Sequence, residues 1–420
     1  MTAASPPSPP ASPPSSPGPL AESRIFDISR VLAGPSCTQM LGDLGADVIK
    51  IERPGIGDDT RKWGPPYLTA PDGSPTTESA YYLSANRNKR SVTLDFTKPE
   101  GQAIARDLIA TCDVVVENFK VGVLRKYRLD YESLRQTQPG LIYCSITGFG
   151  QTGPYAPRAG YDFLAQGMGG VMSVTGEPDG PPLKTGTAVS DLMCGMHAVI
   201  GILAALRHRD RCGEGQSIDM SLLDSQVAAM ANVAMYTLLS GETPPRLGNA
   251  HTTIVPYDVF PAADGHVILA IGNDSQFAAF CDFAERPELA TDPRFLSNEL
   301  RLRHRVVLTE ILADITARRR TSDWIDGLES RGVACGPVNK MTEVFADPQV
   351  QARGMTVELS HPLAGDRPAP FLACPIKLSA TPPTYRRAPP TLGQHTDEVL
   401  KERLNLDDAA IAKLRRDGII

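Results

Sequence analysis

A single carboxylate stands at the start of a long apolar stretch of the chain. In "TAVSDLMCGMHAVIGILAAL", which runs from Thr187 to Leu206, Asp191 precedes small and apolar residues that predict a buried helix. As a helix N-cap, Asp191 would accept backbone N–H bonds and stabilise the helix by ~1 kcal/mol. As a nucleophile, it would form a covalent acyl intermediate. The residues of this stretch alone favour the cap.

The sequence signatures of several other chemistries are missing. The first predicted strand is followed by "SRVLAGPS", which has one glycine and no G-x-G-x-x-G fingerprint. The chain has neither a G-x-x-x-x-G-K-[ST] loop nor a G-x-S-x-G elbow. The seven histidines form no H-x-x-x-H pair, and the eight cysteines are scattered singly without C-x-x-C. We therefore predict no metal site.

Alternating strand and helix patterns must position any functional residues. Apolar and β-branched runs predict strands at "SRIFDIS", "DVIKI", "SVTLDF", "DVVVENF", "LIYCSI" and a stretch ending near Ile218. Between them, Cys37, Met40, Leu41 and Leu44 share one helical face, and "PEGQAIARDLIATC" and "YESLRQTQ" also predict helices. This alternation predicts an α/β fold with a parallel, doubly wound sheet. Such a sheet binds ligands at the carboxyl ends of its strands, which indicates an enzyme with a cleft for an anionic ligand.

Changes in composition and in the predicted helices and strands along the chain suggest its domain boundaries. Residues 1–22 form a Pro/Ser tract that predicts a disordered tail. We expect residues 23–240 to form the first part of a large domain that holds Asp191, and residues 241–350 to form a smaller α+β domain. Residues 351–420 are expected to return to the large domain.

Composition limits the partners and the compartment. The formal net charge of −6 argues against a nucleic-acid partner. The longest apolar run contains His197 and is shorter than the ~20 residues of a membrane helix, so no membrane segment is predicted. The N-terminus lacks the marks of a secretory signal or a transit peptide, and single cysteines suit a reducing compartment. We predict a cytoplasmic protein, or a mitochondrial matrix protein in a eukaryote.

Seven stretches together resemble the class III CoA-transferases, a family that includes the α-methylacyl-CoA racemases. They occur in order and cover nearly the whole chain after the tail: "RVLAGPSCTQMLGDLGADVIKIERPGIGDDTRKWGPP", "NRNKRSVTLDF", "VVVENF", "SITGFGQTGPYAPRAGYDFLAQGMGG", "SDLMCGMHAVIGILAAL", "GEGQSIDMSLLDS" and "LGQHTDEVL". "GDDTRKWGPP", "NAHTTIVPYDVF" and "ACGPVNKMTEVFADPQV" are more similar to the branch acting on short dicarboxylates, such as succinyl-CoA–glutarate transferases.

This resemblance implies a fold, an assembly and a reaction. It implies a Rossmann-like large domain made from both chain ends, a small central domain, and a homodimer of two interlocked subunits. It makes Asp191 the nucleophile, which forms a mixed anhydride and then an aspartyl-CoA thioester. The substrates are an acyl-CoA, here expected to be succinyl-CoA, and a small carboxylic acid such as glutarate. CoA is a substrate, and no tightly bound cofactor is implied. We also expect the amides at the start of the helix to keep the Asp191 carboxylate ionised.

The resemblance also assigns residues to the two substrates. The residues implied to contact CoA are Val31, Leu32, Ala33, Arg53, Leu94, Asp95, Thr97, Asn118, Phe119, Lys126 and Arg158. Those implied to face the small acid are Trp63, Tyr81 and Tyr161, to which we add Arg87 and His251 as candidates for a distal carboxylate. Leu32 and Lys126 replace a glutamine and an arginine of the formyl-CoA transferases, whose glycine-rich substrate loop corresponds to "HTTIV". These differences favour a larger acid than oxalate.

Two other functions remain open. The racemases of the family pair the aspartate with a histidine in a "GHD" motif, because one group removes the α-proton and another returns it. Here the triplet is "GYD", with Tyr161 in place of histidine, and a tyrosine is a poor base at neutral pH. A catalytically silent CoA-binding protein is the other alternative, and the presence of Asp191 counts against it.

Overall fold

The computed structural model describes residues 17–420. Residues 1–16 of the predicted disordered tail lie outside the described residues. The last residues of that predicted tail are ordered: Leu20 donates its N–H to the carbonyl of Leu44 (3.0 Å), and Ala21 donates to Gly18 (3.0 Å). Residues 18–21 are thus folded although they were predicted to belong to the tail, because these turns pack on the loop that follows the first helix.

The chain divides into two compact units. The first comprises the chain up to Gly170, Gly186–Ala231 and Ala352–Ile420; the second comprises Val171–Thr185 and Asn232–Gln351. The second unit is thus larger than the predicted small domain, since it also takes in residues 171–185 and 232–240. Hydrogen bonds explain the first of these additions: Gly248 donates to the carbonyl of Gly176 (3.0 Å), and the Arg246 guanidinium donates to that of Gly180 (2.7 Å).

The first unit contains ten of the strands and most of the long helices. Its strands are β1 (Arg24–Asp27), β2 (Asp47–Glu52), β3 (Tyr67–Thr69), β4 (Pro75–Ser79), β5 (Lys89–Thr93), β6 (Val114–Glu117), β7 (Ile142–Thr147), β8 (Ser217–Ser221), β12 (Thr356–Leu359) and β13 (Ala369–Leu372). Its helices are α1 (Ala33–Asp43), α2 (Ala80–Ser84), α3 (Pro99–Ala110), α4 (Tyr131–Leu134), α5 (Asp162–Met168), α7 (Val189–Cys212), α8 (Leu222–Ala229), α17 (Thr396–Leu404) and α18 (Asp408–Arg416). Short 3₁₀ helices cover Asp59–Lys62 and Leu124–Tyr127.

Six strands form one parallel sheet in the order β5-β2-β1-β6-β7-β8, which confirms the predicted parallel α/β sheet. Alternate side chains of β1 point to opposite faces. Phe26 belongs to a core packed against α3, α17 and α18, and Ile25 belongs to a core packed against α1 and α7. Helices therefore cover both faces of the sheet. From β1 the chain adds β2 and β5 on one side of the sheet, and from β6 it adds β7 and β8 on the other side. The strand order therefore reverses between β1 and β6, and a ligand crevice is expected at the carboxyl ends of these two strands.

The second unit is built around a small antiparallel sheet. Its elements are α6 (Val171–Val174), β9 (Tyr257–Ala262), β10 (Gly265–Ala270), α10 (Asp274–Phe283), α11 (Glu288–Thr291), α12 (Asn298–Arg303), α13 (Arg305–Thr316), α14 (Thr321–Glu329), β11 (Ala334–Pro337) and α15 (Met341–Ala346). Helices α9 (Ala231–Ser240) and α16 (Pro348–Ala352) lie at its boundaries with the first unit. The sheet order is β11-β10-β9, and Trp324 stacks on Phe280 in the core beside it, with ring centroids 5.7 Å apart.

Helix α7 is longer than the apolar run predicted from the sequence. With 24 residues, it is long and apolar enough to cross a membrane by length and composition alone. Half of its most apolar segment is buried within the protein, where Ala198 and Ile202 pack in the core beneath the sheet. We therefore interpret α7 as a core helix. The cysteines are all free and six of the eight are buried, as expected for small core residues.

Candidate active site

A cavity of about 320 Å³ opens at the carboxyl ends of β1 and β6, where the strand order reverses. Loops after four parallel strands and the start of α7 supply its walls. The residues that line it include Arg30, Val31, Leu32, Ala33, Asp59, Asn118, Phe119, Arg158, Tyr161, Asp162 and Asp191. The cavity therefore brings Asp191 together with seven of the residues that the resemblance assigned to the substrates.

Asp191 is the third residue of α7, and its carboxylate faces this cavity. Its side chain is nearly buried, with 8% of the residue exposed. No protein group among the described residues donates a hydrogen bond to the carboxylate. Burial, and then the like charge of Asp162, raise the pKa of Asp191 to about 7. Desolvation and the charge of Asp162 thus act against the expected effect of the helix amides, which was to favour the ionised carboxylate.

The capping role belongs to Asp162. The N-cap position of α7 is Ala188, which has no side chain to cap with. Asp162 Oδ1 instead accepts the backbone N–H groups of Ser190 (2.8 Å) and Asp191 (3.3 Å), which are the two donors that a cap normally satisfies. The capping interpretation of Asp191 is therefore wrong. Sequence reasoning missed Asp162, although the alanine before α7 was a signal that a cap had to come from elsewhere.

The loop after β1 is clamped in a strained conformation beside Asp191. Val31 has φ +71°, which is unfavourable for a β-branched residue and costs roughly 1–3 kcal/mol. The Asn118 side chain accepts the Arg30 N–H (2.9 Å) and donates to the Arg30 carbonyl (2.6 Å), while Asp58 accepts the Val31 N–H (3.3 Å). The amide of Asn118, predicted to contact CoA, is thus occupied by the protein backbone. It holds the loop that carries Val31, Leu32 and Ala33 to the cavity wall.

A second cavity of about 310 Å³ lies next to the first. The two share Arg30, Asp59, Phe119 and Val123. The second cavity is lined by four more residues of the predicted CoA set, which follow β2 and β5: Arg53, Leu94, Asp95 and Thr97. No hydrogen bond or ion pair within the described residues engages the Arg53 guanidinium. An unpaired guanidinium and a partly apolar wall suit a ligand with phosphates and an aromatic base.

The last two predicted CoA cations occupy different positions. Arg158 lines the first cavity, where its guanidinium lies 4.6 Å from the ring centroid of Tyr155. Lys126 lines neither cavity, and its ammonium lies 4.6 Å from the ring centroid of Tyr127, a residue that lines the second.

The predicted acid-facing residues are only partly brought together. Trp63 and Tyr81 form an edge-to-face pair, with ring centroids 5.1 Å apart. Burial, together with the negative charges of Asp191 and Asp162, raises the pKa of Tyr81 to about 12, so this hydroxyl lies within electrostatic reach of both carboxylates. Tyr161 lines the first cavity and is well exposed.

The structure corrects the role given to Arg87. Its guanidinium forms a buried ion pair with Asp43 and donates to the carbonyl of Leu372 (2.6 Å). It lines neither cavity, so it is not positioned to bind a distal carboxylate. His251 lies in the second unit, where its Nδ1 accepts the Thr253 N–H (3.1 Å) and its ring packs against Tyr257. Its role as a substrate residue stays a prediction.

Within the described part of the chain, the histidine, cysteine and carboxylate groups that come close enough to share a metal ion are His208, Cys212 and Glu214. All three are exposed and lie at the end of α7 opposite to Asp191. Asp191 and Cys212 are 21 residue steps apart along α7, which is about 30 Å of helix, so this group is remote from the cavity.

Comparisons with known proteins agree with this arrangement. A family model described as CoA-transferase family III matches residues 20–396. A succinate–glutarate CoA-transferase of Agrobacterium fabrum is 51% identical over 393 residues, covering 93% of this chain and 97% of that protein. A succinyl-CoA:glutarate CoA-transferase of Homo sapiens is 44% identical over 402 residues, covering 96% and 90%.

The solved structures include a similar fold. The crystal structure of a CAIB/BAIF family protein from Brucella suis superposes with a TM-score of 0.84 at 46% identity, covering 92% of this chain and all of that one. Because the family model and these relatives match almost the whole chain, the chain belongs to CoA-transferase family III and is a CoA-transferase.

Proposed function

We propose that this enzyme transfers CoA from succinyl-CoA to glutarate or a similar short dicarboxylate, with Asp191 as the nucleophile. The observation that carries the proposal is the Asp191 carboxylate, which faces the cavity and receives no hydrogen bond from residues 17–420. The names of the two relatives at 51% and 44% identity support the choice of donor and acceptor.

The proposed reaction exchanges acyl groups on one carboxylate. An oxygen of Asp191 attacks the thioester carbonyl of succinyl-CoA and expels the CoA thiolate, giving an aspartyl–succinyl anhydride. The thiolate attacks the aspartyl carbonyl, releases succinate and forms an aspartyl-CoA thioester. A carboxylate of glutarate then displaces the thiolate to give an aspartyl–glutaryl anhydride. The thiolate attacks its glutaryl carbonyl, which yields glutaryl-CoA and regenerates Asp191 without consuming water.

The two neighbouring cavities suit the two ends of CoA. The second cavity, with Arg53 at its wall, would hold the nucleotide end of CoA. The pantetheine arm would lie against Arg30 and Phe119, which line both cavities, and extend toward Asp191 in the first cavity. CoA is a substrate in this proposal and leaves in each cycle.

A matched pair of acceptors tests the proposal. Glutarate and valerate have the same number of carbons, and valerate lacks only the distal carboxylate. A charge-assisted hydrogen bond to that carboxylate contributes ~1.5–3 kcal/mol, so kcat/KM for glutarate should exceed that for valerate by roughly 10- to 100-fold. The measurement is the yield of new thioester from succinyl-CoA by mass spectrometry.

Other outcomes of that assay point to the alternatives. Exchange of the α-proton without transfer would favour a racemase, and CoA binding without either reaction would indicate a silent CoA-binding protein. Equal rates with glutarate and valerate would contradict the dicarboxylate preference while leaving CoA transfer in place.

We also propose a homodimer. Leu192, Met196, Ile200 and Leu203 form an exposed apolar stripe along α7, and Ile200 is 64% exposed. Contiguous apolar surface of this kind marks an interaction site on most soluble proteins. Light scattering at micromolar concentration should give twice the chain mass of 45.1 kDa, and a mass of one chain would contradict the proposal.

A further inference from the structure

We propose that Asp162 is a positioning residue of the transfer reaction: its carboxylate fixes the first turn of α7 and places a second negative charge beside Asp191. This inference rests on the proposed role of Asp191 as the nucleophile. It goes beyond that role, because it assigns Asp162 two separable actions on the nucleophile, one through hydrogen bonds and one through charge.

Asp162 holds the first turn of α7 from a different helix. It is the first residue of α5, and its Oδ1 accepts the N–H groups of Ser190 and Asp191. Its Oδ2 accepts a hydrogen bond from Nε2 of the buried Gln166 (2.7 Å). Both carboxylate oxygens are therefore used, and the Asp162 side chain has little freedom to move.

A second anchor fixes the same turn. The Ser190 hydroxyl donates to Oε1 of Gln226 (2.8 Å), a buried side chain on α8. With the contacts of Asp162, this bond ties the residue before Asp191 and the N–H of Asp191 itself to two neighbouring helices. Such pre-organisation lowers the cost of bringing the nucleophile to the thioester carbonyl, and a misplacement of about 1 Å can cost ~100-fold in rate.

The charge of Asp162 acts on Asp191 directly. Of the other groups near Asp191, Tyr81 and Cys194 have pKa values of about 12 and stay neutral at physiological pH. The cavity also contains the cations Arg30 and Arg158, and Arg30 pairs with Asp59 (2.9 Å). Burial makes the larger contribution to the raised pKa of Asp191, and the negative charge of Asp162 makes the second. A more basic carboxylate is a stronger nucleophile, but a larger fraction of it is protonated at pH 7.

The pH profiles of wild type and Asp162→Asn test the charge. Since only ionised Asp191 can attack, wild-type kcat/KM should fall about tenfold per pH unit below about 7 and level off above it. The asparagine keeps an oxygen for the two N–H groups and removes the negative charge. Its acid limb should therefore lie at least about half a pH unit lower. Ionisation of the CoA phosphates affects both enzymes equally, so the difference between the profiles isolates Asp162.

Asp162→Ala tests the positioning. It removes the hydrogen bonds as well as the charge, so kcat should fall by about tenfold or more while KM for succinyl-CoA changes little. Asp407→Asn is the matched control, because Asp407 caps α18 through the Ala410 N–H (2.8 Å) away from both cavities. It should leave the rate and the pH profile unchanged.

The outcomes separate this inference from the proposed function. An acid limb in Asp162→Asn that coincides with wild type would overturn the charge effect, and a normal kcat in a folded Asp162→Ala would overturn the positioning role. Absence of transfer in the wild-type protein would instead contradict the proposed function itself.

Discussion

Asp191→Asn should lower the rate of CoA transfer by roughly 10⁴-fold or more, because an amide cannot form the anhydride on which the proposed reaction depends. The substitution keeps the shape of the side chain. It also removes a buried carboxylate whose pKa is raised to about 7. A raised carboxyl pKa means that stability is lost as the pH rises from the unfolded value through about 7. At pH 8, Asp191→Asn should therefore unfold at the same temperature as wild type or a higher one.

Two measurements distinguish loss of the nucleophile from loss of structure. Hydroxylamine added to wild type with succinyl-CoA should convert Asp191 to a hydroxamate detectable by peptide mass spectrometry, and the variant should give none. Asp210→Asn is the control, since Asp210 is an exposed carboxylate in the last turns of the same helix. A folded Asp191→Asn or Asp191→Ala that keeps more than about one hundredth of the activity would contradict the assignment.

The sheet was predictable because its signal is local. All six strands of the parallel sheet overlap runs found in the sequence, although β5 begins two residues before "SVTLDF" and β8 continues three residues past Ile218. The central strands are apolar because helices cover both faces of the sheet. The membership of residues 171–185 in the second unit was not predictable in this way. It depends on contacts such as those of Arg246, which joins segments more than 60 residues apart.

Residues of the candidate site were predictable where a sequence motif marks them. They were missed or misassigned where their role depends on a hydrogen-bond or ion-pair partner far away in the sequence. Arg87 stands in a charged turn, and only the structure pairs it with Asp43, which lies 44 residues earlier. Asp162 directly follows Tyr161, yet its function depends on the amides of α7, 28 residues later. The type of a residue limits the chemistry it can do, but its partner decides whether that group is free to act.

Arg61→Met should destabilise the protein by about 3–5 kcal/mol, because it leaves two buried carboxylates without their cation. Arg61 is 5% exposed and binds Glu52 through Nε (2.8 Å) and Nη2 (2.7 Å), and Glu78 through Nη1 (2.6 Å). Nη2 also donates to the hydroxyl of Tyr82 (2.6 Å) and to the carbonyl of Pro390 (3.1 Å). The cluster thus joins β2, β4, α2 and the C-terminal segment of the first unit.

This cluster also supports the strained loop at the cavity. Glu52 Oε2 accepts the backbone N–H of Asp58 (2.9 Å), and Asp58 in turn accepts the N–H of Val31. Loss of Arg61 should therefore lower transfer activity in the protein that remains folded, since Val31 keeps its positive φ only while its surroundings hold it.

The pH dependence and a compensating variant make the stability prediction specific. Burial already raises the pKa of Glu78, and Arg61 opposes that rise. Without Arg61, the Glu78 carboxylate should bind a proton at higher pH, so the destabilisation should shrink as the pH falls through the raised pKa of Glu78. Urea unfolding at pH 8 and pH 5 measures this difference.

A triple variant tests the same cluster by compensation. When Arg61→Met is combined with Glu52→Gln and Glu78→Gln, part of the lost stability should return, because no buried charge is then left unpaired. The exposed pair Arg303–Glu299 provides the control: Arg303→Met should leave the urea midpoint unchanged within error. If Arg61→Met were as stable as Arg303→Met, the cluster would not hold the first unit together as its contacts indicate.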